Sequence, residues 1–370
     1  MSIVIIDDNV TNQLIVLRIL QKAGYHDLIT LSSAQELFTF LKMDTPNKQE
    51  LPVDLILMDM MMPEVDGIEA CRRIQNYSHL RDIPIVFVTA MNDSNKMVEA
   101  MDAGAIDYVL KPINKIELLA RIRTALRLKF EKDWHKERDI YIKSELELAR
   151  QVQAGVLSQP LNDRNVTIDA VYQPSYKIAG DFYAWYQISE HRYGIIILDM
   201  MGHGISSSLV CMYISSVLQD TIKKISDPEQ VITELNRYMN QIGMTDKLVN
   251  YYFTAIYLVL DTEEKIIEYV NAGHPPGMVY MDNKVEKLEQ SCCAVGLFDT
   301  IKISKGKHTY KDSVQIILYT DGLIEQSNTL MMELENYKDL PYAELSAIFN
   351  IRENEVIQED DICLVRISTK

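Results

Sequence analysis

The sequence predicts two domains of different class, an α/β domain joined through one long helix to an α+β domain. Three observations carry that expectation. Apolar strand-like runs alternate with amphipathic helical stretches over the first third of the chain, as a parallel sheet flanked by helices requires. From Lys115 to about Ser158 there is no proline and a single glycine, Gly155. Beyond Pro160 the strand-like runs crowd together and no longer alternate regularly with helices. At 370 residues, with 47% hydrophobic residues, the chain is too long for one ordinary core and rich enough to build two.

In the first domain the β-like runs are Ile3–Ile6, Leu55–Met58, Ile85–Val88 and Tyr108–Leu110. Helical patterns cover Asn12–Ala23, Ser33–Lys42, Ile68–Gln75, Lys96–Ala103 and Lys115 onward. The polar insertion Asp44–Leu51 lengthens the loop before the next strand. In such a sheet functional groups gather at the carboxyl ends of the strands. Asp7 and Asp8 end the first run, Asp59 ends the second, Thr89 follows the third, and Lys111 follows the fourth. Carboxylates converging there make a hard-cation site of the kind Mg²⁺ prefers, while Lys111 and the Thr89 hydroxyl can hold phosphoryl oxygens. Singly, each is an ordinary turn, cap or surface residue. Five in order at strand ends are not.

The segments IIDDN, DMMMPEVDG, VFVTA and YVLKPI resemble the two-component response-regulator receiver family over roughly residues 1–125. The resemblance implies a five-stranded parallel sheet with helices on both faces and Asp59 as the phosphoacceptor. It also implies Mg²⁺ held by Asp7, Asp8, Asp59 and the backbone carbonyl of Met61, with Thr89, Tyr108 and Lys111 as switch residues. A cis bond at Lys111–Pro112 and a sensor histidine kinase as phosphodonor belong to the same expectation.

The connecting segment is rich in Glu, Lys, Arg and Leu, all good helix formers. Ile142, Leu146, Ala149, Val152 and Val156 recur at spacings of three and four and give one apolar stripe. Too short for a clean coiled coil, the stripe suits either packing on its own domain or a homodimer through this helix. ELELARQVQAGVLSQP resembles the regulatory helix that precedes bacterial stress-response phosphatase domains, which marks residues 126–160 as a helical linker.

In the second domain the strand-like runs are Thr167–Tyr172, Tyr193–Leu198, Phe253–Leu260, Ile266–Val270, Gln315–Tyr319 and Ile362–Ile367, with helices over Ser206–Lys223 and Pro228–Gln241. Four aspartates sit where strands are expected to end: Asp181 in AGDFYAW, Asp199 in LDMMGHG, Asp321 in YTDGLIE and Asp360 in EDDICLV. Converging carboxylates with few cationic neighbours repel one another, and divalent metals are the usual remedy. Two metals sharing such a set can activate water for in-line attack on phosphorus. Asp361 reads as a second ligand or a solvated neighbour, Lys177 as a phosphate contact or a surface lysine, and His203 and His274 as general acids or turn histidines.

These motifs resemble the PPM (PP2C-type) metal-dependent phosphatases, in their SpoIIE/RsbU branch, over about residues 161–370. The resemblance implies an α-β-β-α sandwich and two Mn²⁺ or Mg²⁺ ions held by Asp181, Asp199, the Met200 carbonyl, Asp321 and Asp360. It points to a phosphorylated anti-sigma factor antagonist as substrate. NAGHPPG at 271–277 and SCCAVGLF at 291–298 are family-like and read as loop-shaping. Ala184 departs from the pattern, since many relatives carry an acid there. Two functions follow: a phosphatase governed by Asp59, or a receiver-controlled adaptor whose phosphatase-like domain binds without catalysis.

The net charge of −16 argues against nucleic acid as a partner. The basic run Arg121–Arg138 is interrupted by Glu131, Asp133 and Glu137 and reads as a solvated helix face. Five cysteines without a CxxC pair argue against a disulfide framework or structural zinc and fit a reducing cytoplasm. Met1 leads straight into a strand-like run, so no signal peptide is expected. No apolar run approaches the roughly 20 residues that span a bilayer.

Overall fold

A computed structural model describes residues 1–43, 53–90, 93–202, 204–242, 251–282, 284–325, 330–355 and 360–370. The insertion Asp44–Leu51 and His203 lie outside the described residues. The chain divides into two units, Met1–Ile142 and Lys143–Lys370.

The first unit runs β1 (Ser2–Ile6), α1 (Val10–Lys22), β2 (Asp27–Leu31), α2 (Ala34–Phe40), β3 (Leu55–Met58), α3 (Gly67–Gln75), β4 (Ile85–Thr89), α4 (Ser94–Asp102), β5 (Asp107–Leu110) and the start of α5 (Lys115–Val156). Its strands pair in parallel in the order β2-β1-β3-β4-β5. Period-two alternation sends Ile3, Ile5, Leu55 and Leu57 to the face covered by α1 and α5, where Val16, Leu20, Leu118 and Ile122 meet them. Val4, Ile6, Ile56 and Met58 face α2, α3 and α4 instead. Side-chain caps set the helix starts: Asn9 accepts from Thr11 N, Ser33 from Glu36 N and Asp66 from Glu69 N. The sequence reading missed β2, whose DLITL is half exposed at the sheet edge and has no apolar run to announce it.

Helix α5 is 42 residues long. Several of its basic residues are paired: Arg121 with Asp107, Arg127 with Glu131, Lys129 with Asp133 and Lys132 with Asp82. Of the five residues of the expected apolar stripe, only Leu146 is buried, while Ile142, Val152 and Val156 are exposed. The buried face near its end carries Leu146 and Gln153.

The second unit continues with β6 (Leu161–Asn162), β7 (Val166–Gln173), β8 (Phe182–Gln187), β9 (Arg192–Met200), α6 (Ile205–Lys224), α7 (Pro228–Gln241), β10 (Phe253–Asp261), β11 (Ile266–Ala272), β12 (Gly277–Met281), β13 (Lys284–Leu288), β14 (Gly306–Thr309), β15 (Val314–Tyr319), α8 (Asp321–Glu325), α9 (Leu330–Tyr337), α10 (Tyr342–Glu355) and β16 (Ile362–Thr369). Two antiparallel sheets form, β14-β11-β10-β9-β8 and β13-β12-β15-β16-β7-β6. One apolar core joins the facing sides of both sheets to α6 and α7, and a second packs Leu334, Tyr337, Leu345 and Phe349 of α9 and α10 on β15 and β16. The order of layers is therefore α-β-β-α. All five cysteines are free, and among the described residues no helix is long and apolar enough to cross a membrane.

Candidate functional site

Parallel pairing in the first unit brings the carboxyl ends of β1, β3, β4 and β5 to one edge. Asp7, Asp8 and Asp59 each place one oxygen there within 4.8 Å of the others, the one such acidic group among the described residues. The Lys111 ammonium donates to Asp7 Oδ2 at 2.8 Å and to Asp59 Oδ2 at 2.6 Å. The other Asp7 oxygen accepts from Asn9 N and Asn12 Nδ2. Met61 N lies 3.3 Å from Asp59 Oδ1. Burial raises the Asp59 pKa from its ordinary value, outweighing the hydrogen bond from Lys111. Burial pushes Lys111 the opposite way, but its bonds to Asp59 and Asp7 prevail and its pKa is raised. Three carboxylates against one ammonium leave net negative charge at the edge, which suits a hard divalent cation.

Thr89 is fully buried at the end of β4, and its carbonyl accepts from Lys111 N at 2.8 Å. Tyr108 is half-buried and stands opposite Phe87 in the β4–β5 register, and the Lys111–Pro112 bond is cis. Gln13 carries no signal of a role in the sequence. Its buried amide donates to the carbonyls of Asp7 and Leu31 and ties the ends of β1 and β2 together.

In the second unit the aspartates come from four places. Asp181 directly precedes β8, a strand the sequence reading missed, so it opens a strand rather than ending one. Asp199 lies in β9 opposite Thr254, Asp321 opens α8, and Asp360 precedes β16. Gly180 permits close approach of the loops: a Cβ there would stand 3.1 Å from the Gly202 carbonyl oxygen and 3.3 Å from that of Met200. The buried Thr320 joins β15 to β16, donating its N–H to the Cys363 carbonyl and accepting from Cys363 N on its hydroxyl. A Cβ on Gly322 would be driven into the Asp361 carbonyl oxygen. Since only backbone movement relieves that clash, Gly322→Ala is expected to cost about 1–3 kcal/mol in urea unfolding.

These carboxylates act on one another. Burial raises the Asp181 pKa well above the normal range, and Asp199 and Asp361 add to it. Burial also lifts Asp199 to about 8, reinforced by Asp321 and Asp360. Hydrogen bonds, from Thr320 to Asp181 and between Asp181 and Asp199, pull the other way without offsetting burial. Asp181 is 2% exposed, and its Oδ2 has no hydrogen-bond partner among the described residues. A buried, unpartnered carboxylate oxygen among like charges fits a bound divalent cation.

Asp361 is neither solvated nor without a task. It is buried, and it accepts from Ser175 N, Ser175 Oγ and Gly180 N at 2.7, 2.9 and 2.8 Å. Lys177 is exposed and helps Arg150 hold the Glu147 carboxyl down, as a surface lysine would. His274 is buried, its Nδ1 lies 2.8 Å from Thr254 Oγ1, and burial lowers its pKa to about 3, which suits a turn histidine rather than an acid. Asn271 shapes that turn, accepting from His274 N and donating to the His274 and Leu288 carbonyls. Ala184 is buried in the main core opposite Ile196, where an acid would have to be accommodated among apolar side chains.

Residues 3–123 match the response regulator receiver domain family, and residues 189–370 match the family described as stage II sporulation protein E (SpoIIE). Phosphoserine phosphatase RsbP of Bacillus subtilis is 36% identical over 235 residues, covering 62% of this chain and 58% of that protein. Transcriptional regulatory protein YvrH of the same organism is 38% identical over 130 residues, 35% of this chain and 51% of the relative. The chain thus spans only about half to three fifths of the length of these two relatives. The SiaA-PP2C domain of Pseudomonas aeruginosa superposes with a TM-score of 0.53 at 19% identity, covering 62% of this chain and 97% of that one, a likeness of fold. The chain therefore carries a response regulator receiver domain over residues 3–123 fused to a SpoIIE-family domain over residues 189–370, the latter with the fold of a PP2C-type domain.

Proposed function

We propose that this chain is a metal-dependent protein phosphatase whose activity is set by phosphorylation of Asp59. The observation that carries the reading is the buried carboxylate group around Asp181, with its unpartnered oxygen and the raised pKa values of Asp181 and Asp199. Asp181, Asp199, Asp321, Asp360 and the Met200 carbonyl would hold two Mn²⁺ or Mg²⁺ ions. Such ions supply Lewis-acid activation of water and neutralise charge on a phosphoester. The chain's own part is to bury and orient the carboxylates: Asp361 fixes the loop before Asp181, and Thr320 fixes the strand ends beside Asp321 and Asp360.

In the receiver, Asp7, Asp8, Asp59 and the Met61 carbonyl would hold Mg²⁺, and Lys111, Thr89 and Tyr108 would respond to the phosphoryl group. We divide the chain as receiver 1–125, linker 126–160 and phosphatase 161–370. RsbP is named a phosphoserine phosphatase, which supports phosphoserine or phosphothreonine as the target here. A phosphorylated anti-sigma factor antagonist is the proposed substrate and a sensor histidine kinase the proposed phosphodonor.

The test is Mn²⁺-dependent hydrolysis of p-nitrophenyl phosphate, before and after treatment with a small phosphodonor. Turnover that changes on treatment, and no longer does so in Asp59→Ala, is the expected result. Metal-dependent turnover indifferent to treatment would detach the receiver from control. An absence of turnover on this ester and on a phosphoserine protein would leave a binding adaptor.

A further inference from the structure

Three consecutive residues, Ala179, Gly180 and Asp181, are each held through the backbone by a side chain from a different part of the second unit. Tyr172 of β7 donates its hydroxyl to the Asp181 carbonyl at 3.0 Å. Gly180 N donates to Asp361 Oδ2 at 2.8 Å, just before β16. Gln153 of α5 grips Ala179 from both sides: Nε2 donates to the Ala179 carbonyl at 2.8 Å, and Ala179 N donates to Oε1 at 3.0 Å. Tyr172 lies in the β7–β16 ladder opposite Cys363, and Asp361 directly precedes that ladder. Cys211 of α6 also reaches the Asp181 carbonyl, through Sγ at 3.7 Å, but only Gln153 ties the segment to α5. It is 3% exposed, on a buried helix face where a leucine would be the ordinary choice. Burying a glutamine side chain costs rotamer freedom, so what the residue gains there comes through its two directed bonds.

We propose that Gln153 is a positioning residue that couples the setting of α5 to the placement of Asp181, an inference that rests on the phosphatase reading. The coupling is steep because its tolerances are small. A helix advanced by one residue moves about 1.5 Å along its axis and turns by about a quarter of a circle. A shift of about 1 Å already takes both amide bonds past hydrogen-bonding distance. Metal–oxygen distances must hold within about 0.2 Å, so a displaced Asp181 loses its ligand geometry before the fold loses much. A cleft of about 310 Å³ beside Gln153, lined by Leu157, Tyr172, Tyr183 and Tyr342 among others, gives the end of α5 space to shift.

The test uses the full chain carrying Asp7→Asn and Asp8→Asn, so that Mn²⁺ binding reports on the second unit. Mn²⁺ is titrated and followed by electron paramagnetic resonance, with and without Gln153→Met, which keeps the volume and removes both bonds. Binding weakened at least about 10-fold, with cooperative melting of the metal-free chain retained, is the expected result. A second variant, Gln153→Glu, sets an anionic oxygen against the Ala179 carbonyl and should weaken binding at least as much. Unchanged binding in both would overturn the coupling while leaving the phosphatase reading intact. Failure of both to fold would make the clasp a plain fold contact and end the proposal. A parent chain that binds no Mn²⁺ would sink the phosphatase reading and the proposal together.

Discussion

Asp199→Asn should abolish measurable hydrolysis yet make the metal-free chain more stable. Outer-shell partners of metal ligands are worth about 10–100-fold in affinity or activity, so loss of a ligand carboxylate should exceed about 100-fold. The stability gain has a different origin. Asp199 is held at about 8 by burial and by Asp321 and Asp360, and its own charge helps raise Asp181. A carboxyl whose folded pKa lies above its unfolded value binds its proton more tightly in the folded chain. Its contribution is whole below about pH 4 and is lost as pH rises through about 8. In chelator, the melting temperature of the parent should therefore fall across that window, and the Asn variant should fall less and lie a few degrees higher near pH 8. Saturating Mn²⁺ should reverse the order, since binding at 100 times Kd adds about 2.7 kcal/mol to the parent. A variant less stable than the parent in chelator would show that the carboxylates are not in conflict.

Much of this was legible in the sequence, and what was not has a common physical cause. The β1, β3 and β4 runs are apolar on both faces, because the parallel sheet is covered twice, so they stand out in the sequence. The aspartates announce themselves through neighbouring glycines that let backbones approach, as at Gly180 and Gly322. Edge strands such as β2, which buries none of its residues fully, and β13, exposed along most of its length, leave no such signal. Buried polar residues leave the opposite signal. Gln153, Asp361 and Gln13 look like surface residues in the sequence because their partners are backbone groups far along the chain, which composition and periodicity do not register. The same blindness placed Val152 and Val156 in an apolar stripe while the neighbouring Gln153 took the buried position.

Asp169→Ala is expected to be the most destabilising single change in the second unit, at about 3–5 kcal/mol. Asp169 on β7 stands directly opposite Arg366 on β16 and accepts from Arg366 Nε at 2.7 Å and Nη2 at 2.8 Å. Arg366 Nη1 donates to the carbonyls of Tyr337 and Leu340, which pins the end of α9 to the sheet. Both side chains are nearly excluded from water, 9% and 12% exposed. Removing the carboxylate leaves a guanidinium desolvated without its counter-charge, which costs far more than an exposed pair is worth. The double variant Asp169→Leu, Arg366→Met removes both charges, and its loss should be smaller than that of Asp169→Ala despite two changes. The Tyr337 and Leu340 carbonyls still lose their donor, so it should not return to the parent value. Urea unfolding of the four chains of that cycle gives the coupling directly. Because β16 begins directly after the Asp360–Asp361 pair, the single variant should also weaken Mn²⁺ binding, and the double variant should recover most of it. Equal stability of Asp169→Ala and the parent would mean that this buried pair contributes nothing, and that α9 and α10 hold to the sheet by their apolar contacts alone.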